Sequence, residues 1–159
     1  MFIRRALLLL GLSLLFTACS TSKNDGSSSS YFNDSSPKSM GIRYLLGRGV
    51  PQDDKQAFYY FSKAANQGDP FAQNELAYMY AAGKGTTRDN EQAFIWYKKA
   101  AGHGLASAQY NLGLLYLRGM GTAQNKALAN EWFHKSADHG FEPAKAALGQ
   151  AKAAPVSAQ

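Results

Sequence analysis

The chain has 159 residues, of which 45% are hydrophobic, 13% aromatic and 18% charged, with 15 glycines and one cysteine. That length suits one domain or a short repeat array, and the apolar content excludes a wholly disordered chain. A single cysteine excludes a disulfide scaffold or a cysteine-based zinc cluster. The net charge is +6, and losing Arg4 and Arg5 with a leader leaves 15 basic against 11 acidic residues, net +4. So mild a balance is no case for nucleic acid as a partner.

Residues 1–18 read as a signal peptide. Arg4 and Arg5 hold the N-terminus while the 13 uncharged residues Ala6 to Ala18 enter the bilayer. At about 1.5 Å per residue the run is roughly 20 Å long, short of the roughly 30 Å needed to span. Phe16-Thr17-Ala18-Cys19 resembles a bacterial lipobox, with Phe in place of the more usual Leu. The resemblance implies cleavage before Cys19, lipidation of its sulfur and an acylated new N-terminus. Ser20 and Thr21 follow, with no Asp directly after the cysteine. By resemblance to Gram-negative sorting, that points to the outer membrane, with the protein facing the periplasm. Residues 19–36 are then a Ser-rich tether whose uncleaved length reaches roughly 20–25 Å on average.

From Pro37 the sequence repeats every 36 residues. Gly47, Gly83 and Gly119 align, as do Gly49, Gly85 and Gly121, and Gly68, Gly104 and Gly140. Tyr44, Tyr80 and Tyr116 share a register, as do Ala57, Ala93 and Ala129, Lys63, Lys99 and Lys135, and Ala65, Ala101 and Ala137. A period in this range marks a solenoid. The units are 37–68, 69–104 and 105–140, with a capping first helix at 141–152 and a disordered tail at 153–159.

Each unit reads as two helices. In the second, Asp69 is an N-cap and Pro70 a first helical residue, and Ala72, Leu76, Met79 and Tyr80 form one stripe. Gly83-Lys84-Gly85 ends that helix, and Asp89 or Asn90 caps the next. There Ala93, Trp96, Tyr97, Ala100 and Ala101 follow helical spacing up to Gly104. The first unit supplies Ala57, Tyr60, Phe61, Ala64 and Ala65, and the third Ala129, Trp132, Phe133, Ser136 and Ala137. No strand-like alternation recurs, so the expected fold is an all-α solenoid of helix-turn-helix repeats.

The chain resembles the Sel1-like repeat proteins, relatives of the tetratricopeptide class. The resemblance rests on Ala108, Leu112-Gly113, Tyr116, Gly119, Gly121, Ala129, Trp132, Phe133, Lys135, Ala137 and Gly140, with Asp89 and the run Trp96 to Ala101. Asn125 departs from it where the pattern has Asp. The resemblance implies a right-handed α-solenoid whose curved surface binds other proteins, in a family with many exported or envelope-located bacterial members. Some family members are tied to enzyme activity, particularly cysteine-rich ones, and the repeats here contain no cysteine.

Residues with chemistry to offer point the same way. His103 and His139 occupy one repeat position before a closing glycine, where the first unit has Gln67, which suits a polar helix end. His134 and His139 lie on different helix faces, unsuited to chelation. Gly83-Lys84-Gly85-Thr86-Thr87 lacks the spacing of a phosphate loop, and neither HExxH nor a serine elbow occurs. We therefore expect no enzyme activity, no cofactor, no metal, no small-molecule substrate and no nucleic acid.

A protein partner is expected instead, on the side of each first helix opposite the core. At about 100° per residue, Asn74, Tyr78 and Ala81 oppose Leu76, and their counterparts are Lys38, Ile42, Leu45 and Tyr110, Leu114, Leu117. Tyr78, Tyr110, Leu114, Ile42 and Leu117 are the candidate contacts, although inter-repeat packing is open to the same side chains. Lys63, Lys99 and Lys135, with Lys98, form a second candidate surface, either for an acidic partner or as helix-end charge. The functional expectation is a lipid-anchored adaptor in the bacterial envelope, as a periplasmic immunity protein or a regulator of a partner. The alternative is a peptidoglycan-associated hydrolase or a regulator of one.

Overall fold

The computed structural model describes residues 34–153. The expectations for the leader, for Cys19 and most of the tether, and for the tail beyond 153 lie outside the described residues. Seven helices follow one another: α1 (Pro37–Leu46), α2 (Asp54–Asn66), α3 (Pro70–Ala82), α4 (Asn90–Gly102), α5 (Ala106–Arg118), α6 (Lys126–Asp138) and α7 (Glu142–Ala153). No strand occurs among the described residues. None of these helices is long and apolar enough to cross a membrane.

The helix boundaries follow from local chemistry. Asp53 and Asp89 each accept two backbone N–H bonds at the starts of α2 and α4, and Asn125 accepts one from Leu128 at α6. Ser36 and Asp69 cap α1 and α3, each followed by a proline that has no N–H to satisfy. Leu105 begins α5 with no side-chain cap. First helices stop at Gly47, Gly83 and Gly119, all left-handed. The Tyr44, Tyr80 and Tyr116 carbonyls then accept the N–H of the cap residues Asp53, Asp89 and Asn125, at 3.0, 2.9 and 2.8 Å. These bonds fix the angle within each hairpin.

The principal contacts run between consecutive helices, from α1·α2 through α6·α7, the arrangement of a solenoid. Alanines let the backbones approach: Ala57, Ala93 and Ala129 are fully buried, as are Ala72 and Ala108. Aromatic rings join the units. Phe58 meets Tyr80 edge-on at 5.2 Å, and Phe94 meets Tyr116 likewise at 5.3 Å. Tyr44 has no preceding unit and stacks on Tyr60 at 5.5 Å. Two buried clusters, one around Phe61 and Leu76 and one around Tyr97 and Leu112, both recruit Tyr80 and Trp96. They are therefore one continuous core.

The closest approach between units lies at the turns. Gly85 and Gly121 have φ of +68°, and a methyl group on either would fall on a backbone carbonyl of the preceding hairpin, that of Asp54 or Asn90. The aligned glycines are thus required by the joint as well as by the turn.

Candidate functional site

The face opposite the core is built from α1, α3 and α5. Tyr78 is 45% exposed there, one of the few large apolar side chains the fold leaves open. The other candidates are more engaged. Ile42 and Leu45 pack against the first core cluster. Tyr110 lies against Phe133 and Phe141, both at 5.5 Å, and so helps dock α7 as well as lining the face. Leu114 and Leu117 are half-buried. Of the five candidates, only Tyr78 is exposed, and Ile42 and Tyr110 are engaged in packing between helices.

Beside Tyr78 lies a polar group of which spacing against Leu76 singled out only Asn74, expected on the open side and found buried. The Asn111 amide donates to Asn74 Oδ1 across a long 3.5 Å, and the Asn74 amide donates to Glu75 Oε1 at 3.0 Å. Asn74 is buried and Glu75 half-buried. Burial pushes the Glu75 carboxyl above its ordinary value, against the pull of the Asn74 hydrogen bond. Tyr97 reaches the same place from α4. Its phenol is pushed well up, first by burial and then by the charges of Glu75 and Tyr78. Glu75 makes no ion pair with any described residue.

A signal for this group exists in the sequence, in the columns where the second unit departs from its neighbours. Glu75 stands where the flanking units have Ser39 and Asn111, and Tyr97 where they have Phe61 and Phe133. Tyr78 stands between Ile42 and Leu114 in its own column. Columns that agree mark the fold, whereas disagreement on an open face is free of that constraint.

Two of the three column lysines are engaged on the second helices. Lys99 lies 3.9 Å above the centre of the Trp96 ring and Lys135 4.2 Å above Trp132, within cation–π range. Lys135 also pairs with Glu131 at 2.9 Å. His139 Nδ1 meets Gln109 Oε1 at 2.9 Å, while Gln109 Nε2 donates to the Ala101 carbonyl. Gln73 repeats the bond to Ala65, but its buried oxygen has no partner among the described residues, and His103 stands at the position equivalent to His139. Among the described residues, no three of His, Cys, Asp or Glu gather as metal ligands would.

The order of helices and the aligned joints define an α-solenoid of paired helices. The Sel1 repeat family model matches residues 39–69, 70–105 and 106–141, most of the chain, and the chain belongs to that family. Among solved structures it is similar to a protective antigen of uropathogenic Escherichia coli displaying an SLR fold, at 37% identity and a TM-score of 0.70. That match covers 72% of this chain and 24% of the antigen, so the chain spans about a quarter of that protein. A Sel1 repeat protein from Oxalobacter formigenes matches at 42% identity and a TM-score of 0.67, covering 72% of this chain and 86% of the other. Helicobacter pylori cysteine rich protein B matches at 27% identity and a TM-score of 0.60, covering 69% and 86%. No curated protein matches the chain. Sel1 repeats are generally protein-interaction modules.

Proposed function

We propose that the protein is a lipid-anchored adaptor of a bacterial envelope, holding a protein partner along the face of α1, α3 and α5. It catalyses no reaction of its own in this reading, and it acts by blocking or regulating what it binds, as an immunity protein or a regulator. The observation that carries the proposal is Tyr78, an aromatic ring left 45% exposed on the middle first helix while the other candidates are partly taken up in packing. A rigid array offers such a face at little ordering cost on binding. No observation favours the hydrolase alternative.

The experiment is affinity capture of the full-length chain from crosslinked envelopes, wild type against Tyr78→Ala, with the captured proteins identified by mass spectrometry. A partner retained by the wild type and lost by the variant supports the reading. Capture indifferent to Tyr78 contradicts it. The anchor is tested separately: Cys19→Ala should abolish metabolic palmitate labelling and move the protein to the soluble fraction. An alanine variant still labelled and still membrane-bound contradicts the lipid attachment.

A further inference from the structure

We infer that the centre of this face receives the side chain of one arginine from an extended peptide segment, held between the Glu75 carboxylate and the Tyr78 ring. The inference rests on the binding face proposed above and names the chemistry of what sits on it.

The carboxylate is the first consideration. Glu75 is partly withdrawn from water, accepts one hydrogen bond on Oε1 from Asn74, and has no cation paired with it among the described residues. Withdrawing an unpaired charge from water costs stability. The repeat does not require that cost, because Ser39 and Asn111 fill the same column in the neighbouring units. Asn74, itself buried, orients the carboxylate through its 3.0 Å hydrogen bond to Oε1. Its second oxygen has no hydrogen bond from any described residue and remains available to a donor.

The ring is the second. Tyr78 lies three residues beyond Glu75 on α3, so the two side chains are neighbours on one helix face. Lys84 Nζ already stands 6.0 Å from the centre of that ring, at the outer edge of the cation–π range. Lys84 thus touches the ring only marginally and forms no ion pair with the carboxylate beside it.

An arginine suits the pair better than a lysine. Its planar guanidinium stacks on an aromatic face and offers parallel N–H donors to a carboxylate, which an ammonium cannot. The rest of the chain limits the partner further. With a net charge of +4 once the leader is lost, the protein repels a polybasic segment at long range, so an isolated arginine is favoured over a basic run. Ile42 and Leu114 stand in the Tyr78 column on the other two first helices and are each partly exposed, so apolar residues on either side of the arginine suit the segment.

The probe is the capped peptide Gly-Leu-Ser-Arg-Ser-Leu-Gly, titrated into the full-length chain in detergent and read by calorimetry. The comparison peptides carry neutral citrulline or glutamate at the centre. We expect the arginine peptide to bind at least about tenfold more tightly than the citrulline peptide, the factor of a charge-assisted bond. Glu75→Gln, isosteric and checked for unchanged helical circular dichroism, should erase that preference. Lys84→Ala should keep the preference or enlarge it. Equal binding of the three peptides, a preference that survives Glu75→Gln, or no binding of the arginine peptide up to millimolar concentration would each overturn the inference. In any of those cases Tyr78-dependent capture from envelopes still stands or falls by itself.

Discussion

Replacing Gly85 by alanine isolates the joint between repeats from the turn that carries it. Two costs add. A non-glycine residue at φ +68° bears roughly 1–2 kcal/mol of left-handed strain. The new methyl also lands on the Asp54 carbonyl, a backbone atom at the first turn of α2 that no rotamer change can move aside. Relieving such overlap by shifting one hairpin against the other costs about 1–3 kcal/mol. The total, about 2–5 kcal/mol, is a large part of the roughly 5–15 kcal/mol that stabilises a domain. Gly68→Ala is the control, with φ at +90° and nothing within 4 Å of the added carbon, so it bears the strain alone. Urea unfolding followed by circular dichroism at constant slope gives both values. If Gly85→Ala costs no more than Gly68→Ala, the repeats do not meet at this glycine and the stacking described above is wrong.

Tyr110→Ala should destabilise by about 2–4 kcal/mol, since it removes the ring between Phe133 and Phe141, whereas Tyr78→Ala should stay within about 0.5 kcal/mol. Thermal melts of both variants decide this, and equal effects would contradict the division between docking ring and open ring. Asp69→Ala should cost about 1 kcal/mol for the lost cap of α3. Burial alone would raise the Asp69 carboxyl, but the Lys38 hydrogen bond and the Ala72 amide outweigh it and hold the group below its ordinary 3.8. Its stabilisation is therefore present above 3.8 and lost as pH falls through the lower folded value, so wild type and variant should converge in acid. Glu75 has the opposite sign. Its raised folded value means that stability is lost as pH rises from the ordinary 4.5 through the folded value. Glu75→Gln should accordingly melt higher than wild type at neutral pH and match it in acid, as a pH series of melting curves would register.

The architecture was legible because a solenoid writes its joints at a fixed period. Gly85 and Gly121 stand where turns touch the preceding hairpin, and the Tyr44, Tyr80 and Tyr116 carbonyls take the cap N–H of each second helix. The capping choice between Asp89 and Asn90 resolves to Asp89, whose carboxylate takes the Glu91 and Gln92 amides at 3.0 Å each. Periodicity says less about the open face. Tyr110, two residues before Leu112, and Tyr78, two after Leu76, both point away from the core stripe on a helical wheel, yet Phe133 and Phe141 from the following helices meet only Tyr110. Which ring stays open depends on the neighbour that follows in the chain, and a single helix wheel does not contain it. Glu75, Asn111 and Tyr97 were missed for a related reason: each is ordinary for its own helix, and they gather only when three helices are packed together.

The most direct measurement places a photocrosslinking amino acid at position 78, on the open face, and in separate variants at positions 59 and 95. Tyr59 and Ile95 are similarly exposed, at 57% and 43%, but sit on the second helices. Irradiated in living cells, position 78 should yield one discrete protein adduct, and positions 59 and 95 should not yield it. An adduct formed from 59 or 95 and absent from 78 would contradict the claim that α1, α3 and α5 present the binding face.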